Sequence, residues 1–349
     1  MKKKGKMIAL TAVLILTIGF SSTTCNTGNT PDYSDGFDGT VKILIKSSKP
    51  SPANIVFLGD GFIVEDNVDG GFFDSKVAEL YNYIFSIQPF AEYQEYFSVY
   101  KIYADSVNRE AKKNPGDSTP NTAFNSTYNY LGIDRLLVAQ NTSKVSKYAN
   151  LATPNPHIII IIVNDVKYGG SGGEIVVTSI NERAKEIVIH ELGHLFMLAD
   201  EYVDEEYRQA AGITLAHAST QPNVDVTNNL SEIKWKHFIG LSGYYDTAWE
   251  GGYYFASGVW RPTEHSVMES FTVMEFNAIS RETITKMIIH NAGETYSLED
   301  FLNRDIPPSG LRRATNNGSE NPMPVQPEIY AKLLYGDQKI RARFNGEHD

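Results

Sequence analysis

One cysteine, Cys25, occurs in 349 residues. No internal disulfide can therefore brace the fold, and stability has to come from packing, helped by metal where one is bound. Basic charge is scarce as well. Lys and Arg number 31 against 42 Asp and Glu, for a net charge of −11, which excludes the basic face that nucleic acid requires. Internal repeats are missing. So is any apolar run of the roughly 20 residues that a membrane span needs. The longest is Met7 to Phe20, preceded by Lys2–Lys6 and followed by small polar residues, which is the layout of an export signal. What remains is ordinarily globular, 42% hydrophobic and 21% charged, and long enough for one or two domains with a substantial core.

The position of Cys25 just after the signal resembles a bacterial lipoprotein signal, in which that cysteine is lipidated and becomes the mature N-terminus. The expectation is an exported protein, attached to a membrane through lipid on Cys25 or else secreted after ordinary cleavage. Residues 26–40 are polar and read as a tether. "ANIVFLGDGF" is a short apolar strand ending in a Gly-Asp-Gly turn, and Phe72 to Phe90 carries apolar residues at helical spacing. "YFSVYKIYADS" reads as a strand and residues 105–127 as a long loop. "HIIIIIVND" is nearly continuous in β-branched residues, the pattern of a strand buried on both faces. A glycine-rich loop and the strand "GEIVVTS" follow, then a helix for which Asn181 is the expected cap. Beyond Tyr202 the chain is aromatic, Gly-rich and irregular until "SRETITKMIIHNAG", a helix with a glycine to stop it. From Ile306 onward an irregular tail is expected.

Chemistry concentrates in "EIVIHELGHLFMLADEY", residues 186–202. His190 and His194 are four apart, so on a helix their rings project to one side, one turn apart. Two neutral imidazoles so placed can share one Zn²⁺, and Glu191 can lean toward its water as general base. A third ligand is required, and a continuing helix cannot supply it. Glu201, seven residues past His194, would lie about 10 Å further along the axis at 1.5 Å per residue. The chain must turn back soon after His194. In the metzincin pattern H-E-x-x-H-x-x-G-x-x-H a glycine makes that turn. The same count here gives Met197 at the glycine and Asp200 at the ligand position. If the turn needs positive φ, Met197 carries a cost of about 1–2 kcal/mol. Glu201 is the alternative third ligand, with His217, His237 and His265 behind it. The bland alternative for Asp200, Glu201, Asp204, Glu205 and Glu206 is a solvated acidic helix end. Downstream, Ser266-Val267-Met268 fits the short S-x-M turn that metzincins place beneath the zinc.

Taken in order, "NIVFLGDGF", "VNDVKYGGSGG", "HELGHLFMLADEY", "GGYYFASGVWRP" and "SVMESFTVMEFNAISRETI" resemble the bacterial IgA-peptidase family of zinc metallopeptidases, whose members look like metzincins. The resemblance implies zinc held by His190, His194 and Asp200, Glu191 as base and acid, and Met268 as the Met-turn residue. The expected fold class is α/β (α+β), zincin- or metzincin-like. A mixed twisted sheet carries the active-site helix in a catalytic domain over 41–305, and the irregular C-terminal half carries the Met turn. The expected function is zinc-dependent cleavage of protein or peptide substrates laid along "GEIVVTS" as edge strand. Tyr244, Tyr245, Tyr253 and Tyr254 are candidate transition-state donors. Two other functions compete: a surface binding module on an inactive zincin scaffold, and a zinc amidase acting on cell-wall linkages.

Overall fold

The computed structural model describes residues 36–154 and 156–307. The signal with Cys25, the tether up to residue 35 and the tail from residue 308 lie outside the described residues. Among the described residues ten strands form, β1 Val41–Ile45, β2 Ala53–Asp60, β3 Phe97–Ile102, β4 Ser126–Thr127, β5 Val138–Ala139, β6 Ile158–Val163, β7 Gly170–Ser171, β8 Ile175–Ser179, β9 Trp249–Gly252 and β10 Phe255–Arg261. The α-helices are α1 Phe72–Ile84, α2 Thr142–Ala152, α3 Ala184–Leu195, α4 Glu205–Ala210, α5 Leu215–Thr220, α6 Ala278–Asn291 and α7 Leu298–Arg304.

Six strands make one mixed sheet in the order β1-β3-β2-β6-β8-β7. Its centre, β3-β2-β6-β8, is parallel, with β1 and β7 antiparallel at the two edges. The isoleucine run in β6 is buried throughout, as its composition predicts, and its alternate residues serve two cores. Ile158, Ile160 and Ile162 pack with residues of α1, α3 and α6, whereas Ile159, Ile161 and Val163 pack with α2 and the 111–139 region. The sheet thus separates α3 from α2, and all the residues of the H-E-x-x-H motif fall on the first side.

Several expectations need correction. The helix starting at Phe72 ends at Ile84, not Phe90, because Ser86 and Ile87 close tight turns onto Tyr83 and Ile84, and Pro89 has no N–H to carry a helix on. Asn181 does not cap α3. Its side chain accepts from Arg183 N (3.1 Å) and shapes the turn before the helix. The α2 helix, capped by Asn141, has no counterpart in the sequence reading. The long loop expected over 105–127 is present up to β4 and is pinned at its end: the buried Asp60 carboxylate accepts from Phe124 N (2.8 Å), Ser126 N (2.9 Å) and the Thr122 hydroxyl (3.0 Å). The strand "GEIVVTS" is β8, which is paired on both sides, so the edge belongs to β7.

The second half is less irregular than expected, holding α4, α5, α7 and the β9–β10 hairpin. Asn277 caps α6 by accepting from Ser280 N (3.1 Å). Gly293 ends it at φ +76°, with Glu294 N donating to Ile289 O and Gly293 N to His290 O, a Schellman stop. Arg281 of α6 makes a buried two-pronged pair with Asp305 (2.6 and 2.7 Å) that fastens the C-terminal end of the described chain.

Candidate metal centre

α3 places His190 and His194 on one face, and their Nε2 atoms stand 3.1 Å apart. Each ring is fixed by its other nitrogen. His190 Nδ1 lies 2.9 Å from Val267 O, and His194 Nδ1 lies 2.9 Å from Leu198 O. A carbonyl can only accept, so both rings carry their proton on Nδ1 and turn an Nε2 lone pair inward when neutral.

The helix stops after Leu195 through a second Schellman turn. Leu198 N donates to Gly193 O (3.0 Å) and Met197 N to His194 O (2.9 Å), and Met197 takes φ +68°. The turn of the glycine-containing pattern is therefore made here by a methionine, at the cost of about 1–2 kcal/mol that left-handed backbone imposes on a side chain. Reversal of the chain brings Asp200 back over the helix. Its Oδ1 sits 3.0 Å from His190 Nε2 and 3.4 Å from His194 Nε2. Among the described residues, this trio is the one group of His, Cys, Asp or Glu that could hold a metal. The fit is good on geometry: metal–ligand bonds of about 2.0–2.1 Å in a tetrahedron put neighbouring ligand atoms about 3.3 Å apart.

Electrostatics agree. Burial alone would pull His194 down, but the Asp200 carboxylate outweighs it and pushes His194 up to about 9. Burial likewise works against ionising Asp200, yet the two histidines hold it well below the usual carboxylate range. Both shifts have one cause, the attraction between the Asp200 carboxylate and the imidazoles beside it. Burial pushes the Glu191 carboxyl up, and the neighbouring histidines offset part of that.

Glu191 is buried beneath the edge of the sheet. A Cβ on Gly172, the residue following β7, would stand 1.7 Å from Glu191 Oε2. Gly172 is thus needed for space, and the glycine-rich loop owes that glycine to the carboxylate below it. On the far side of α3, Gly193 makes room for Met268, whose Sδ would lie 2.4 Å from an added Cβ. Met268 itself is fully buried in a tight turn closed by Glu269 N to Ser266 O (3.0 Å), with Ser266 Oγ accepting from Met268 N (3.2 Å).

Glu201 is not part of the trio. Its Oε1 accepts from Asn223 and Asn277 (both 2.8 Å), and its Oε2 from Ser266 (2.6 Å) and Asn277 (3.1 Å), while Glu201 N donates to Met268 O (2.8 Å). This carboxylate ties the Met268 turn and the start of α6 to the segment carrying Asp200. Burial pushes it up to about 7 despite those donors. The distant histidines are accounted for elsewhere: His217 caps α5, His237 meets Glu282 (3.1 Å) and His265 meets Glu269 (3.0 Å). Asp204 caps α4 and Glu205 pairs with Arg208 (2.7 Å), so part of the acidic run is helix-end chemistry.

Of the four tyrosines, Tyr254 reaches the trio, where its hydroxyl donates to Asp200 Oδ2. Tyr244 donates to Asp305 (2.9 Å), Tyr245 is exposed, and the Tyr253 hydroxyl meets Gln221 (3.4 Å). Sequence reasoning missed Asn223, Asn277 and the spatial role of Gly172. Asn277 alone left a trace, as a capping residue at a helix start. A family model described as IgA Peptidase M64 matches residues 43–247 and 241–288. No curated protein matches the chain.

Proposed function

Because this chain belongs to the IgA peptidase M64 family, we propose that it is a zinc-dependent endopeptidase acting on extracellular or host proteins, built as a zincin of the metzincin kind. The observation that carries this reading is the convergence of His190 Nε2 and His194 Nε2 of α3 with Asp200 Oδ1 of the returning segment, within 3.4 Å, with the glutamate between the two histidines buried beside them. These three residues would hold the ion, which when bound supplies Lewis acidity and lowers the pKa of water toward roughly 7.

The chain's own residues supply the rest. Glu191 takes a proton from the attacking water and returns it to the leaving amine, a task suited to a carboxyl raised by burial. Val267 O and Leu198 O hold the ligand tautomers, as outer-shell acceptors do in metal sites. Met268 serves as the Met-turn residue and supports the helix at Gly193. The backbone just past β7, at Gly172, receives an extended peptide by strand addition. Export, with anchoring through lipid on Cys25, rests on the N-terminal sequence.

Metal analysis of the purified protein tests the reading. One zinc per chain is expected in the wild type, with a large loss in Asp200→Ala and retention in Glu191→Gln, which binds zinc but does not cleave. A folded, metal-replete wild type without zinc would overturn it and leave the binding-module reading. Cleavage of cell-wall fragments but no peptide would move the assignment to an amidase.

A further inference from the structure

The outer side of the edge strand is open over only part of its length. Gly170 directs its N–H to Arg135 O (3.2 Å) and its C=O to Leu137 N (3.4 Å), so the segment 135–137 already occupies that stretch. Ser171 turns inward, in register with Val177 of β8. By the alternation of an antiparallel edge, the next outward backbone pair belongs to Gly172. There the covering segment leaves, because Val138 and Ala139 bend away to pair with Thr127 and Ser126. Where the two diverge lies a pocket of ≈ 400 Å³.

Side-chain direction connects this pocket to the reaction. Added Cβ atoms at Gly170 and Gly172 would meet Ile187 and Glu191, so these positions face α3. Ser171 faces the other way, with its hydroxyl on Leu137 O (2.7 Å). An extended peptide taking the backbone groups of Gly172 presents one residue toward Glu191, and its immediate neighbours point to the opposite face. That face holds the pocket. Its floor is apolar, with Ile159, Ile175 and Val177, and its wall carries Glu174 and the hydroxyls of Ser143 and Ser146.

We propose that this pocket between α2 and the β7–β8 hairpin is a specificity subsite for a long basic side chain, Lys or Arg, located next to the scissile bond of the substrate. The aliphatic stem lies on the isoleucine and valine floor, and the cation meets Glu174. The inference rests on the peptidase reading and narrows its substrate class.

Cleavage of a diverse peptide library by the zinc-loaded full chain, with sites mapped by mass spectrometry, is the test. Lys and Arg should be enriched at one position within two residues of the cut. In Glu174→Gln the preference for a basic over a neutral residue there should fall on the order of tenfold. In Glu174→Lys it should turn toward acidic residues, and Ser146→Trp, which fills the pocket, should disfavour every long side chain at that position. Cleavage without a basic preference, or one unmoved by Glu174→Gln, overturns the subsite while leaving the peptidase standing. No cleavage of any peptide by the zinc-loaded protein removes both.

Discussion

The Tyr254 hydroxyl donates to Oδ2 of Asp200 and leaves Oδ1 facing the two histidine rings. Tyr254 is delivered by a two-residue turn between β9 and β10 in which Tyr253 (φ +48°) and Tyr254 (φ +71°) are both left-handed. Asn-Gly suits such a turn far better, so the tyrosines hold a conformation costing about 1–2 kcal/mol each. Strain of this kind persists where the surroundings over-determine it. Here they do: Tyr253 N donates to Asp200 O and Tyr254 N to Tyr202 O (both 2.9 Å).

Tyr254→Phe should therefore weaken zinc binding about 10–100-fold, the usual effect of losing an outer-shell partner. Competition against a chelator reads this directly, with Tyr244→Phe as a comparison away from the trio. Equal affinity in Tyr254→Phe and wild type would show that Asp200 needs no such support.

Gly172→Ala should leave zinc content at one per chain and lower kcat by about 10² or more, since the new methyl displaces the Glu191 carboxylate and misplacing a reacting group by about 1 Å costs that much. Kinetics on peptide substrate beside metal analysis would separate this from loss of metal. Full activity would mean that Glu191 works from another position.

Met197→Gly should stabilise the fold by about 1 kcal/mol, because glycine adopts φ +68° without the penalty that methionine meets there. Denaturant unfolding of the two zinc-loaded proteins measures it. A loss of stability instead would show that packing of the half-buried Met197 side chain outweighs its backbone cost.

Asp246 supplies a pH dependence away from the metal. Burial pushes it up to about 6 from 3.8, with Arg281 offsetting part of the effect. Between those values the folded state binds the proton that the unfolded chain has released, so stability falls as pH rises through that window. The total is on the order of 2–3 kcal/mol. Asp246→Asn should remove this loss, so that the variant gains on the wild type between pH 4 and 8 in denaturant titrations. A pH-independent difference would contradict the assignment.

The clustering of His190, His194 and Asp200 was legible because they lie within eleven residues and the helix period alone brings two of them together. The buried strand β6 was equally plain, since a run of β-branched residues leaves little choice. Glu201 was not resolved, because what holds it away from the trio is three partners, Asn223, Ser266 and Asn277, remote in sequence. Gly172 was obscured for a similar reason. A glycine required by conformation has local company, whereas one required by space is explained only by what lies above or below it. The edge strand was misplaced by one strand because a two-residue strand such as β7 carries too little pattern to announce itself.

The bonds of Glu201 also bear on when the site can form as the chain is made. His190, His194 and Asp200 emerge early and close together, but Asn277, which grips Glu201, lies 76 residues later. Ser266 and Tyr254, which fix the same segment, also come after it. A nascent or truncated chain ending before them carries every donor atom without the contacts that aim Asp200. The arrangement of the trio thus depends on the chain through Asn277, and the local motif by itself does not fix it.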